Sequence, residues 1–573
     1  MFRFAIRLLV LIGLIVGSVV VLAAPDEPEA VANAGWEEMG TGSASGGGVS
    51  SNSGWSIDPA LAFGSDSKPL VVWSDNTSGN YEIYVRRWNG TTWAEIGANS
   101  ASGPGISSNV DSSIDPDIAV GLPGSYFVAW SNLVGGNNFE LYVRRWNGSS
   151  WVEMPVGSAS GGGISNNSSQ SLFPSLAIKP DGSPIIAWED ETNSTNGEIF
   201  VRQWNGLNWS EIGIDSAVGG GISNNSGRSI SPDLAIGTDG MPAVAWADTT
   251  SGNAEIYVKR WNGSSWVEIG TGSASNGGIS RNSGFSSEPS LAFTFNGKPV
   301  VAWQDTSSGI NAIYVKRWNG KAWVEMGSGS ASNGGISGNA SHSVSPSLAM
   351  DPNGAPLVAW ANNTTDSRQI YVKRWNGVAW VEIDSGSASN DGVSNSSKQS
   401  NIPSLSVDKR SGQPVVAWQS GTLDTGLDIY LRQHAPLSLG RIYTPMTTFQ
   451  TCSLNGGEME PNNNSVQANG PLCSSRAYTG LPTDRFDVFF FEAAAGPITT
   501  NLTNHTGSGV QLQLHHQTIT TNPIALDVNG ADGYRVEVPN APTGRYYVVI
   551  STLAPDPDAT TRYQLTTSFN MSR

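Results

Sequence analysis

Cysteine is nearly missing from this chain: Cys452 and Cys473 are the only two among 573 residues. A disulfide framework therefore cannot organise most of the molecule. Histidine is almost as scarce, with five residues, and the sequence contains no H-E-x-x-H, no G-x-S-x-G and no cysteine placed as a nucleophile. Those absences remove the usual zinc-peptidase and serine-hydrolase constellations, and no catalytic residue is assigned. Charge is thin too. Only 14% of residues are charged, against roughly 25% in ordinary soluble domains, and the balance is −17 with no basic stripe. A chain of that sign cannot displace counterions from phosphates, which excludes nucleic acid as a partner. Past Leu22 no apolar run is long enough to span a bilayer.

What the sequence has instead is periodicity. The phrase R/K-W-N-G-x-x-W, with Gln203 in place of the cation in one copy, places its first Trp at Trp88, Trp146, Trp204, Trp261, Trp318 and Trp375, and His434 closes the series. A second marker, a Trp ending an apolar run, keeps the same beat at Trp73, Trp130, Trp188, Trp246, Trp303, Trp360 and Trp418. Both give seven units of roughly 57 residues. Each unit holds four short runs rich in Val, Ile, Trp and Tyr, none long enough for a helix. Four strands per repeat, repeated radially, predict an all-β, seven-bladed β-propeller over 36–434. The repeat starts out of phase: Trp36-Glu-Glu-Met-Gly40 reads as an outermost strand with nothing before it, and the last unit lacks that strand. The N-terminal strand is therefore expected to complete the seventh blade and remove two open edges. Lys and Arg concentrate in the third strand, where a solvated outer rim is the expectation.

Comparing the copies picks out candidate binding positions. Each has a Ser three residues before the Pro that leads into the innermost strand, and the residue before that Ser changes almost every time: Trp55, Ser112, Gln170, Arg228, Phe285, His342 and Gln399. A constant scaffold around one variable position reads as a ligand-binding ring at the channel mouth, offering stacking faces and hydrogen bonds. Neutral drift at an exposed site explains the same variation. The loops entering the innermost strands are long and rich in Gly, Ser and Asn, suited either to binding or to spacing the blades. Asp75, Asp190, Asp248 and Asp305, with Asn132, Asn362 and Ser420 in the other units, end the second strand. They could bind a cation or a sugar hydroxyl, or cap local backbone N–H groups.

Residues 1–24 combine Arg3 and Arg7, an apolar run and Ala23-Ala24, the pattern of a secretory signal, or of a membrane anchor if retained. Residues 25–35 and 435–452 are linkers. Cys452 and Cys473 then lie in the exported part and are expected to pair. From Glu458-Met-Glu-Pro-Asn-Asn463 through Asp484-Arg-Phe-Asp-Val-Phe-Phe-Phe491, Gly544-Arg-Tyr-Tyr-Val-Val-Ile550 and Tyr563-Gln-Leu-Thr-Thr567, the region 453–573 resembles the bacterial pre-peptidase C-terminal domain. The resemblance implies a jelly-roll-like β-sandwich. In collagen-binding members of that family the matching positions hold calcium, which points to Glu458, Glu460, Asn462, Asn463, Asp484 and Asp487, an oxygen set that suits a hard cation. Asn463 stands where those members carry Asp, so one charge is lost.

The propeller repeats resemble those of uncharacterised secreted propellers and, more distantly, propeller lectins. The Asn-Gly-x-x-Trp turn also faintly resembles the Asp-box of sialidase propellers, without its Asp and Ser. Together these readings predict a secreted or cell-surface bacterial binding or adhesion protein, more in keeping with a non-catalytic role than an enzyme. Its partner would be a glycan, a cell-wall polymer or an extracellular protein. The alternatives are a secreted glycoside hydrolase or peptidase-associated factor, and a purely structural surface protein.

Overall fold

The structure is a computed structural model describing residues 35–434, except 122–123, 193–195, 353, 364–366 and 423–425, and a set of strands between 477 and 568. Every regular element among these residues is a strand. Residues 36–434 form seven antiparallel four-stranded sheets. Blade four is representative: Ser229–Ile236 innermost, then Pro242–Asp248, Glu255–Trp261 and the short outermost Trp266–Glu268. The innermost strands touch in sequence around a closed ring, the seventh returning to the first. Blade seven takes its outermost strand from the N-terminus, Trp36 opposite His434 and Glu38 opposite Arg432. The expected closure is what the chain does.

Local chemistry explains the repeat. The second strand of blade four is buried along its whole length because a sheet covers each of its faces. In the third strand, Ile256 and Val258 enter the core shared with blade five while Tyr257 enters the core shared with blade three, as a period of two requires. At the Asn-Gly turn, the Asn262 side-chain oxygen accepts from the backbone N–H groups of Ser264 and Ser265, both at 2.9 Å. Seven Trp side chains, Trp73 through Trp418, are fully buried at second-strand positions, each of a size whose burial contributes about 1.5–3 kcal/mol or more.

Three devices lock neighbouring blades. The first cation of each third strand reaches back to the preceding blade's loop, as Arg86 to the Val49 carbonyl at 2.7 Å and Lys316 to the Ile279 carbonyl at 2.8 Å. Burial pulls the pKa of both below its usual value. These side chains are therefore interblade staples, which corrects the expectation of a merely solvated rim. The loops into the innermost strands mostly act as spacers: Ile279 donates to the Ile256 carbonyl at 2.8 Å, and Gly278, at φ +62°, passes so close that an added Cβ would meet that carbonyl oxygen. Finally, in five seams the Trp of the W-N-G phrase packs over a Gly of the preceding blade, as Trp318 over Gly270, while Pro155 holds the glycine's sequence position before Trp204. At the last seam both members change together. His434 stands for the Trp, Asp384 for the Gly, and His434 Nε2 lies 2.7 Å from Asp384 Oδ2.

Beyond the propeller, eight strands form two four-stranded antiparallel sheets, a β-sandwich. Its core includes Phe489, Leu502, Leu514, Tyr546, Val548 and Leu565.

Candidate functional site at the channel mouth

Each innermost strand carries a bulge just before its proline, where two residues oppose one; in blade one the register jumps between Ile57 and Ala60. The first bulged residue is left-handed in all seven blades: Asp58 (φ 53°), Asp115 (52°), Phe173 (53°), Ser231 (52°), Glu288 (50°), Ser345 (54°) and Ile402 (49°). Such a bulge normally uses glycine, and a side chain there costs about 1–2 kcal/mol. No blade uses glycine, and Ile402 is β-branched, the least tolerant type. The seven residues line a central cavity of about 510 Å³ with the prolines that follow them. Phe173 and Ile402 present exposed apolar faces in the ring. Asp58 and Asp115 are neighbours, and Glu288, three blades from each, stands on the far side of the channel.

Two residues further along, a second ring ties the blades together. Leu234 N donates to Ser175 Oγ at 2.9 Å, Leu348 N to Ser290 Oγ at 3.0 Å, and Leu61 N to Ser404 Oγ at 3.0 Å. Two members are carboxylates: Asp117 accepts from Leu176 N at 2.6 Å and Asp233 from Leu291 N at 2.5 Å. Ala60 cannot accept, so Ile118 N turns to the Asp117 side chain at 2.8 Å. Asp117 thus crosses one seam and satisfies within its own strand the donor that Ala60 leaves unpaired.

Burial raises all of these acids. It pushes Asp58 to about 6 and Asp233 to about 6. Asp117 reaches about 7 by burial, and Asp115 reaches about 7 by burial with the Asp58 charge added. Glu288 is open to the channel, yet desolvation by the protein around it raises its carboxyl too. No Lys, Arg or His lines the cavity. The site can thus hold and exchange protons near neutrality, and it offers carboxyls, hydroxyls and an aromatic edge to a ligand.

The ring expected from sequence lies three residues before this one, outside the cavity lining. Four of its members bond the preceding blade. Gln170 donates to the Asn137 carbonyl at 2.8 Å, Gln399 accepts from Arg368 N at 3.0 Å and His342 Nδ1 accepts from Asn311 N at 3.3 Å. Arg228 pairs with Glu189 at 2.9 Å. Trp55 is half-buried near Gly426 of blade seven, Phe285 is 50% exposed, and Ser112 is half-buried. The second-strand acids are buried hubs instead. Asp248 accepts from Trp246 Nε1 (2.9 Å), Ser229 Oγ (2.8 Å), Asn225 Nδ2 (2.6 Å) and Thr250 N (2.9 Å). Asp75, Asp190 and Asp305 do the same in their blades. Where Asn362 and Ser420 replace the acid, the indole N–H groups of Trp360 and Trp418 have no acceptor among the described residues.

Sequence reading missed Asp58 and its six equivalents although a signal was present: one variable residue directly before a proline found in every copy. Glu458, Glu460, Asn462, Asn463, Asp484, Cys452 and Cys473 lie outside the described residues, as does the side chain of Asp487. No cluster of three metal-ligating side chains occurs among the described ones.

No protein-family model matches the chain, and no curated protein matches it. Similar solved structures include a PL25 ulvan lyase bound to a GlcA–Rha3S saccharide, with 12% identity, a TM-score of 0.43, and coverage of 66% of this chain and 94% of that one. A Penicillium chrysogenum α-L-arabinanase complexed with arabinobiose shows 16% identity and a TM-score of 0.35 over 56% of this chain and 92% of that one. The pre-peptidase C-terminal domain of a Bacillus anthracis collagenase shows 24% identity and a TM-score of 0.16 over 19% of this chain and 100% of that domain. None of these likenesses assigns an activity.

Proposed function

We propose that this is an exported, non-catalytic saccharide-binding protein whose propeller takes a unit of a glycan or cell-wall polymer into the central channel. One observation carries the reading. Seven side chains of differing chemistry are kept at seven left-handed positions where glycine would be cheaper, and strain of that kind persists where a side chain is needed. The cavity of about 510 Å³ falls within the range of small-molecule sites. The N-terminal charge and apolar pattern supports export. A calcium site at Glu458 to Asp487 would stiffen the junction with the C-terminal sandwich.

The test is a glycan array probed with residues 25–573, with calcium and with chelator, followed by Phe173→Gly and Asp115→Asn. Binding that survives both substitutions refutes the channel as the site. A second reading, glycoside hydrolysis, is favoured by the neighbouring Asp58 and Asp115, both raised by burial, with Glu288 lining the same channel, since acid and base roles are drawn from such carboxyl sets. Reducing-sugar release abolished by Asp115→Asn while binding persists would select it.

A further inference from the structure

On the opposite face, where the first and second strands turn, three of the five blades with a second cation on their third strand neutralise it. Arg87 pairs with Asp66 at 2.6 Å, Arg260 with Asp239 at 2.5 Å, and Arg374 with Asp351. Blade two has the cation, Arg145, but its turn, Gly121-Leu-Pro-Gly-Ser125, contains no acid. Blade five also lacks the acid, and there Arg317 is exposed to water. Arg145 is different. It is half-buried and, unlike Arg87 and Arg260, has no ion-pair partner among the described residues; its Nε, like theirs, is enclosed without an acceptor.

Arg145 lines a cleft of about 540 Å³ between blades two and three, shared with Lys179, Gln203, Asn205, Phe127 and Trp204. Gln203 holds the strand position that is Arg in blade one, so the cleft gains an amide donor there. Lys179 is answered at 3.2 Å by Asp181, a carboxylate 61% exposed that lines the same cleft. Among the described residues one cation is therefore left unanswered, facing a roomy cleft on a chain of charge −17.

We propose that this cleft is an oxyanion site for the carboxylate of an acidic sugar. Arg145 supplies the planar two-pronged donor that matches a carboxylate, the amides of Gln203 and Asn205 meet hydroxyls, and Trp204 flanks the sugar ring. The site is separate from the channel and would let one polymer engage two faces. Its acidic-sugar identity rests on the saccharide reading; the oxyanion chemistry does not.

Isothermal titration of the full chain with a glucuronate oligosaccharide, its neutral glucose counterpart and inorganic sulfate tests it. Saturable binding of the glucuronate probe alone is expected, weakened at least about tenfold by Arg145→Met and unchanged by Arg317→Met. Gln203→Glu, which keeps size and adds an acid, should weaken it similarly and serves if the Arg145 variant fails to fold. Absence of saturable glucuronate binding, equal loss in the Arg145 and Arg317 variants, or equal affinity for sulfate would overturn the proposal. Binding lost in Phe173→Gly but kept in Arg145→Met would place the probe in the channel and overturn this site, whereas the reverse pattern would keep it, so failure of the channel reading and failure of this one are distinguishable.

Discussion

Two rings in the same seven blades obey opposite rules. At the end of the second strand, Trp, Ser and an acid or amide recur with nearly fixed identity and bury every donor they can. Three residues into the innermost strand, the backbone angle recurs and the side chain does not. The first pattern belongs to folding, because any change leaves buried donors unpaired. The second is what remains when geometry is fixed by the fold and chemistry is released to another task.

The largest effect that would break this contrast is Asp248→Ala. It strips an acceptor from four donors and is expected to cost about 3–5 kcal/mol in urea denaturation, whereas Asp58→Ala should stay within about 1 kcal/mol and lower ligand binding. A similar loss for both would erase the distinction. Next in size, Leu405→Ala, in the buried core, should cost about 2–5 kcal/mol, while Ile402→Gly, three residues earlier, should cost nothing or gain up to about 1 kcal/mol by relieving the left-handed backbone. At the final seam, His434→Trp alone should destabilise by meeting Asp384. Adding Asp384→Gly should recover about 1–2 kcal/mol, the coupling expected of residues in contact.

The smallest effect is with pH. Asp58, Asp115, Asp117 and Asp233 have folded pKa values raised to about 6 or about 7 from an ordinary 3.8. Their contribution is fully present below the unfolded value and is lost as pH rises through about 6 to 7. Melting temperature should therefore fall between about pH 5 and about pH 8, and Asp117→Asn should flatten that slope. Glu268, Glu325 and Glu382 are lowered despite a desolvation that opposes it, because serine and backbone donors hold the charged form. They work in the opposite sense, losing their contribution in acid below the ordinary glutamate range.

The blade count, the four strands and the pairing of Trp36 with the last blade were all legible, because periodicity in Trp and Val reports burial directly. The ring at Asp58 was not read, although a variable residue precedes a proline in every copy, because only the left-handed bulge decides that this residue, rather than the one three before it, faces the channel. Counting back from the serine picked the residue that bridges seams instead. The seam chemistry of Arg86 and Lys316 was hidden for another reason: a cation bonded to a carbonyl of the preceding unit looks, in sequence, like one facing solvent.

Trp36 and His434 sit directly opposite each other, so the segments before and after the propeller leave it from adjacent strands of one blade. Tension applied between the two ends of the protein would bear first on that three-residue ladder, peeling it pair by pair, while the other six blades carried no load. The disc hangs from a single hinge pin, and a propeller so built would open at its clasp before any blade yielded.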